Sequence, residues 1–149
     1  MTLLRVPLVR VALVWLVLAS LLLARGFTAI AERRFPDPDD VLRLVQVRDL
    51  LAGQGWFDLH QYRIDGPAGT LMHWSRIVDV PLTLTIGALS PLLGSAVAEQ
   101  VAIVAVPLLT LAAILLAAAK TAARAMDLPG VTLACLCVGL SPMVLAQVQ

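Results

Sequence analysis

Apolar and polar positions along this chain fall into long blocks. Val6 to Ala24 is apolar apart from Arg10, with Arg5 and Arg10 flanking its start. A membrane hydrocarbon core about 30 Å thick takes about 20 helical residues to cross. The block therefore predicts a membrane helix from about Pro7 to Ala29. It is too long for the apolar middle of a signal peptide, and no small-x-small cleavage site precedes the polar region. Glu32 to Arg76 is the only long polar region, and it holds nearly all the side chains able to do chemistry. Within it, Val41, Leu44, Val45, Val47, Leu50 and Leu51 recur at helical spacing, with Arg43, Gln46 and Asp49 between them. That pattern predicts an amphipathic helix over Asp39–Ala52, with Gly53 as its stop. Gly55-Trp56-Phe57-Asp58 and His60-Gln61-Tyr62-Arg63 follow, and then a turn at Gly66-Pro67-Ala68-Gly69.

Ile77 to Leu93 is apolar but short, and it carries Asp79, Pro81, Gly87 and Pro91. It fits a span, or a segment that lies at the interface or re-enters from one side. Val101–Ala119 is a clearer span, with Glu99 before it and Pro107 inside. Lys120–Gly130 is a short polar connection, and Val131–Ala146 is the last apolar run.

Composition agrees with this layout. Of 149 residues, 60% are hydrophobic, and the mean hydropathy is +0.90. That is far above a soluble domain and marks an integral membrane protein whose partner is the lipid bilayer. The net charge of +1 gives no reason to expect nucleic acid. Ten of the eleven basic residues are arginine, the side chain best shaped for bidentate contact with phosphate. Cys135 and Cys137 alternate with Leu136 inside an apolar run, so both read as small buried hydrophobes rather than a disulfide or a metal site.

The densest chemistry lies at Phe35-Pro36-Asp37-Pro38-Asp39-Asp40. The prolines push Phe35 and Asp37 out of the α region. Asp39 or Asp40 then stands where a helix cap would, near the positive end of the helix dipole. One reading of this turn is a cap and a solvated loop. The other is a cluster of oxygen ligands for a hard cation such as Mg²⁺ or Mn²⁺. Positive-inside counting admits four spans or three, depending on whether Ile77–Leu93 crosses.

Asp39, Arg48 with Asp49-Leu50-Leu51-Ala52-Gly53, Gly55-Trp56-Phe57, and Arg76-Ile77-Val78 before a proline-bearing apolar stretch form a recognisable series. It resembles the first external loop of oligosaccharyltransferase catalytic subunits, and more broadly the GT-C glycosyltransferases that use polyprenyl-phosphate-linked sugars. The resemblance covers about residues 35–93. It implies an all-α polytopic membrane fold with three spanning helices plus an interfacial or re-entrant helix: a first membrane helix over 1–30, an extracytoplasmic loop region over 31–97 and a membrane helical hairpin over 98–149. It places the protein in the cell inner membrane, with the N-terminus cytoplasmic and the acidic loop extracytoplasmic. It also implies that the chain is the N-terminal fragment of a longer enzyme and inactive alone. The activity implied is transfer of a sugar or oligosaccharide from a polyprenyl-phosphate or diphosphate carrier to an acceptor.

By position, Asp39 matches the family's catalytic and metal-binding aspartate, with Asp37 and Asp40 as neighbouring metal ligands for Mn²⁺ or Mg²⁺. Arg48 stands to meet phosphate or pair with Asp49. Arg76 stands to meet phosphate or lipid headgroups, and His73 to contact metal or phosphate or serve the structure. Trp56, Phe57, Tyr62 and Trp74 read as interface anchors rather than a sugar-stacking platform. The alternative from another class is a non-catalytic small membrane protein, a transport or assembly subunit whose acidic loop binds a partner.

Overall fold

The computed structural model of the chain describes residues 8–35 and 37–142. Five helices are present among them: α1 (Leu8–Ala31), α2 (Pro38–Leu51), α3 (Arg76–Leu93), α4 (Ser95–Ala122) and α5 (Leu128–Gly139). A short hairpin of β1 (His60–Gln61) and β2 (Thr70–Leu71) lies between α2 and α3. The fold is all-helical apart from this ladder. Three helices, α1, α3 and α4, are long and apolar enough to cross a membrane.

That set differs in one member from the expected one. Ile77–Leu93 lies within the 18 continuous residues of α3, about 27 Å at 1.5 Å per residue. The last apolar run forms only the 12-residue α5 among the described residues, and residues 143–146 of the expected span lie outside them. The starting flank with Arg5 lies outside them too.

The chain divides into two compact units. The first comprises the described residues of 1–32 and 107–149. Its core joins Val11, Val14 and Leu18 of α1, Leu111, Leu115 and Ala119 of α4, and Val131 and Cys135 of α5. The Trp15 indole N–H donates to the Leu108 carbonyl at 2.8 Å. At Gly139 of α5 an added Cβ would overlap the end of Leu18, so the missing side chain is what lets α5 approach α1. Cys135 is buried as expected. Cys137 is exposed, and both thiols are free. Consecutive odd positions on a helix point in different directions, so one inward-facing cysteine leaves the other outside.

The second unit is Arg33–Val106. Its apolar core joins Leu44 and Val47 of α2, Ile86 of α3, and Ala98 and Ala102 of α4, with Phe35, Leu82 and Leu89 packed against it. Helix α2 begins one residue earlier than the sequence suggests, because Asp37 is its N-cap. Asp37 is extended (φ −120°, ψ 131°) and accepts a hydrogen bond from the Asp39 amide. Pro38 suits the first helical position, where no amide donor is needed. The cap is therefore Asp37, not Asp39 or Asp40. Pro36 lies outside the described residues. Gly53, at φ 104°, ends the helix.

In the hairpin, His60 pairs with Leu71 and Gln61 with Thr70. Gln61 is fully buried, whereas Leu71 is 63% exposed, as strand alternation requires. Gly69 closes the turn at φ 70°, and a Cβ there would stand 3.1 Å from the Gln61 carbonyl and from Cα and Cδ1 of Tyr62. Gly69→Ala combines left-handed backbone strain with that contact. It is expected to destabilise the hairpin by about 2 kcal/mol. A thermal melt of the purified variant in detergent checks this, and an unchanged midpoint would refute it.

Candidate functional site around the acidic turn

The first turn of α2 carries the acidic cluster. Asp37, Asp39 and Asp40 are exposed and adjacent, and Asp37 Oδ1 is engaged by the Asp39 amide at 2.9 Å. Partial desolvation of the Asp40 carboxyl, together with the charge of Asp37, raises its pKa above the usual carboxylate value; Arg43 opposes this, and Asp39 adds to it. Like charges on one turn suppress ionisation, and the guanidinium one turn on restores part of it.

Arg43 links that turn to the interior. Its Nη1 donates to Asp79 Oδ1 at 3.2 Å, and its guanidinium lies 5.2 Å over the Trp74 ring. Asp79, in the first turn of α3, is 1% exposed. Arg76, at 4% exposure, stands 3.9 Å from Asp79 Oδ2. It donates from Nη1 to the Gln46 carbonyl at 3.1 Å, and from Nη2 to Gln54 Oε1 at 2.9 Å and the Asp58 carbonyl at 2.6 Å. Arg76 therefore ties α2, the loop after it and the start of α3 into one piece. The buried charges are paired, and Arg76 is hydrogen-bonded through both terminal nitrogens, while its buried Nε has no hydrogen-bond partner among the described residues.

Asp37, Asp39 and Asp40 share the start of α2 but do not gather as a metal-binding group, and Arg43 follows on the same helix. His73 is exposed and packs edge-on against Trp74 with ring centres 5.6 Å apart. Arg48 faces elsewhere: its Nε and Nη2 grip both oxygens of Glu99 on α4 at 2.7 and 2.6 Å. This bond raises its pKa further. Asp49 pairs not with Arg48 but with Arg63, which holds it through both terminal nitrogens at 2.6 and 3.0 Å. Gln46, placed among the polar positions by the sequence pattern, is 1% exposed.

Sequence reasoning passed over Arg43 and gave Asp79 no role. An acid inside an apolar segment demands a buried partner, and that signal was present at Asp79. Its partner, a turn beyond Asp39, could not be chosen from ten arginines by spacing.

The donor chemistry of the acidic turn suits a hard divalent cation, but the number of ligands does not. Among the described residues no three His, Cys, Asp or Glu side chains gather to hold a metal ion. The turn is an anionic edge, not a complete metal centre. Comparisons with protein-family models, curated proteins and solved structures return no match.

Proposed function

We propose that this chain carries the acidic-turn region of a membrane glycosyltransferase of the GT-C kind, one that takes a sugar from a polyprenyl-phosphate or diphosphate carrier on the extracytoplasmic side of the inner membrane. The observation that carries this reading is the placing of three exposed carboxylates at the N-cap and first turn of a helix clamped to membrane-capable helices. Arg43–Asp79 and Arg48–Glu99 are the clamps. Catalysis at a membrane surface needs charged groups that hold their position beside an apolar phase, and a capped turn on a helix braced by two ion pairs supports that reading.

In this reading Asp39 is the carboxylate that meets the reacting groups, and Asp37 caps the helix beneath it. Any Mg²⁺ or Mn²⁺ would take most of its oxygens from phosphate and water. Arg48 and Arg76 hold the scaffold through Glu99 and the α2 carbonyl. Helix α3 lies at the outer interface with its buried charges turned toward α2. The second reading is a non-catalytic assembly or transport subunit, and the exposure of the acidic turn, open to a partner, is what supports it.

The test is transfer of a radiolabelled sugar from a polyprenyl-phosphate donor, in membranes holding the protein at its natural length. Transfer above an empty-membrane control supports the enzyme, and none across a donor panel supports the subunit. Sidedness has its own check. In a background lacking Cys135 and Cys137, a cysteine at Ser75 is expected to react with a membrane-impermeant maleimide from outside intact cells. One at Thr121 is expected to react only after lysis. Labelling of both from one side would mean that α3 crosses the membrane.

A further inference from the structure

The hairpin after α2 carries an aromatic ring that its neighbours hold without covering. Tyr62 is 56% exposed. Its ring stacks on His60 with centroids 5.8 Å apart and planes 25° from parallel, and its hydroxyl donates to Asp58 Oδ2 at 3.3 Å. The other Asp58 oxygen receives the His60 amide at 3.1 Å and stands 2.9 Å from His60 Nδ1. A Cβ added at Gly69 would stand 3.1 Å from Cδ1 of the same ring, so the turn backbone runs close beside it. An exposed side chain restrained from three directions has already lost the rotamer freedom that binding would otherwise cost.

Beside the ring opens a cleft of about 480 Å³ lined by Asp49, Ala52, Gln54, Tyr62 and Arg63. That volume is within the usual range for small-molecule sites, and the cleft is shallow and broadly open to solvent, so a ligand seated there keeps much of its surface in water. The polar wall is the Arg63–Asp49 fork, whose side chains are 63% and 24% exposed. The Gln54 amide is already committed to the His60 carbonyl and to Arg76. The wall is therefore electrically neutral, with guanidinium donors and carboxylate acceptors side by side. An anion would have to displace Asp49 from Arg63. A wholly apolar ligand would strip water from the fork and give nothing back. A ligand with one apolar face and a rim of hydroxyls satisfies both walls.

We propose that this cleft binds a neutral sugar ring, its C–H face on Tyr62 and vicinal hydroxyls on the Arg63–Asp49 fork. Asp49 and Ala52 lie at the C-terminal end of the 14-residue α2. The acidic turn is at the other end, about 20 Å away along the axis. The sugar cleft is thus a separate site, and it does not depend on the transfer reading.

The test uses residues 1–149 in lipid nanodiscs, with saturation-transfer NMR on methyl β-glucoside, methyl β-galactoside and N-acetylglucosamine at millimolar concentration. At least one sugar is expected to receive saturation, most strongly on its ring C–H protons. Tyr62→Ala is expected to weaken it roughly tenfold, whereas Tyr62→Phe, which keeps the ring, stays close to the parent. Arg63→Gln, at an exposed position, is expected to weaken it as well. If Tyr62→Ala does not fold by circular dichroism, Tyr62→Phe and Arg63→Gln decide the matter. Inorganic phosphate at the same concentration is expected not to compete. Silence from all three sugars, transfer indifferent to Tyr62→Ala and Arg63→Gln, or displacement by phosphate would each overturn the proposal.

Discussion

Replacing Asp79 by alanine is expected to cost the Arg33–Val106 unit about 3–5 kcal/mol, the usual consequence of removing one partner of a buried ion pair. Asp79 is 1% exposed and faces two guanidiniums, Arg43 at 3.2 Å and Arg76 at 3.9 Å. Without the carboxylate, Arg76 remains 4% exposed with a full charge and only neutral acceptors around it. Arg43, whose side chain is 25% exposed, can turn toward water and loses less. Asp79→Asn should fall between, because its amide oxygen still accepts from Arg43 while the charge is gone. Arg63→Ala serves as the surface control, since exposed ion pairs contribute little. Thermal unfolding in detergent orders the variants, and an Asp79→Ala loss as small as that of Arg63→Ala would refute a keystone role for the buried acid.

The same residues show what the sequence could and could not reveal. The spans over α1 and α4 were legible because apolar runs longer than a bilayer is thick admit one reading. Helix α2 was legible from its 3.6-residue period, yet its cap shifted by two residues. Asp37, Asp39 and Asp40 are all good caps, and only the proline at the first helical position distinguishes them. Ile77–Leu93 was ambiguous because Asp79 and two prolines argue against a helix in lipid. In the fold, Asp79 is neutralised from α2, and hydroxyls of Thr83, Thr85 and Ser90 donate to carbonyls four residues back within α3. Gln46 was misread for the opposite reason: helical periodicity places it beside the apolar stripe, and Arg76, arriving from thirty residues away, takes its carbonyl and buries it. The short β ladder left no signal, since two-residue strands have no period to detect. Partner choice among arginines is long-range information. Arg48 reaches Glu99 and Arg63 reaches Asp49, where local spacing suggested Arg48 with Asp49.

Asp39→Asn, made in the protein at its natural length, is expected to reduce sugar transfer by about a hundredfold or more while leaving expression and melting temperature nearly unchanged. The structural half of this expectation follows from the cap. Asp37, not Asp39, accepts the hydrogen bond that starts α2, so position 39 contributes its amide to the helix and its side chain to solvent. Asparagine keeps that shape and gives up only the charge near the positive end of the helix, worth a few tenths of a kcal/mol at an exposed site. The functional half follows from the proposed role. A carboxylate that meets the reacting groups contributes through its charge in the transition state, and loss of one such electrostatic contact costs about 10²–10³ in rate. Asp65→Asn is the control: it also removes one exposed carboxylate, but from the turn between β1 and β2, and transfer should hardly change. Turnover of each variant, measured at equal expression, decides among three results. A loss confined to Asp39→Asn supports the assignment, and one that moves to Asp37→Asn or Asp40→Asn keeps the turn and corrects the residue. Equal activity for all three acidic-turn variants and the parent would leave Asp37, Asp39 and Asp40 with no part in the chemistry beyond starting a helix.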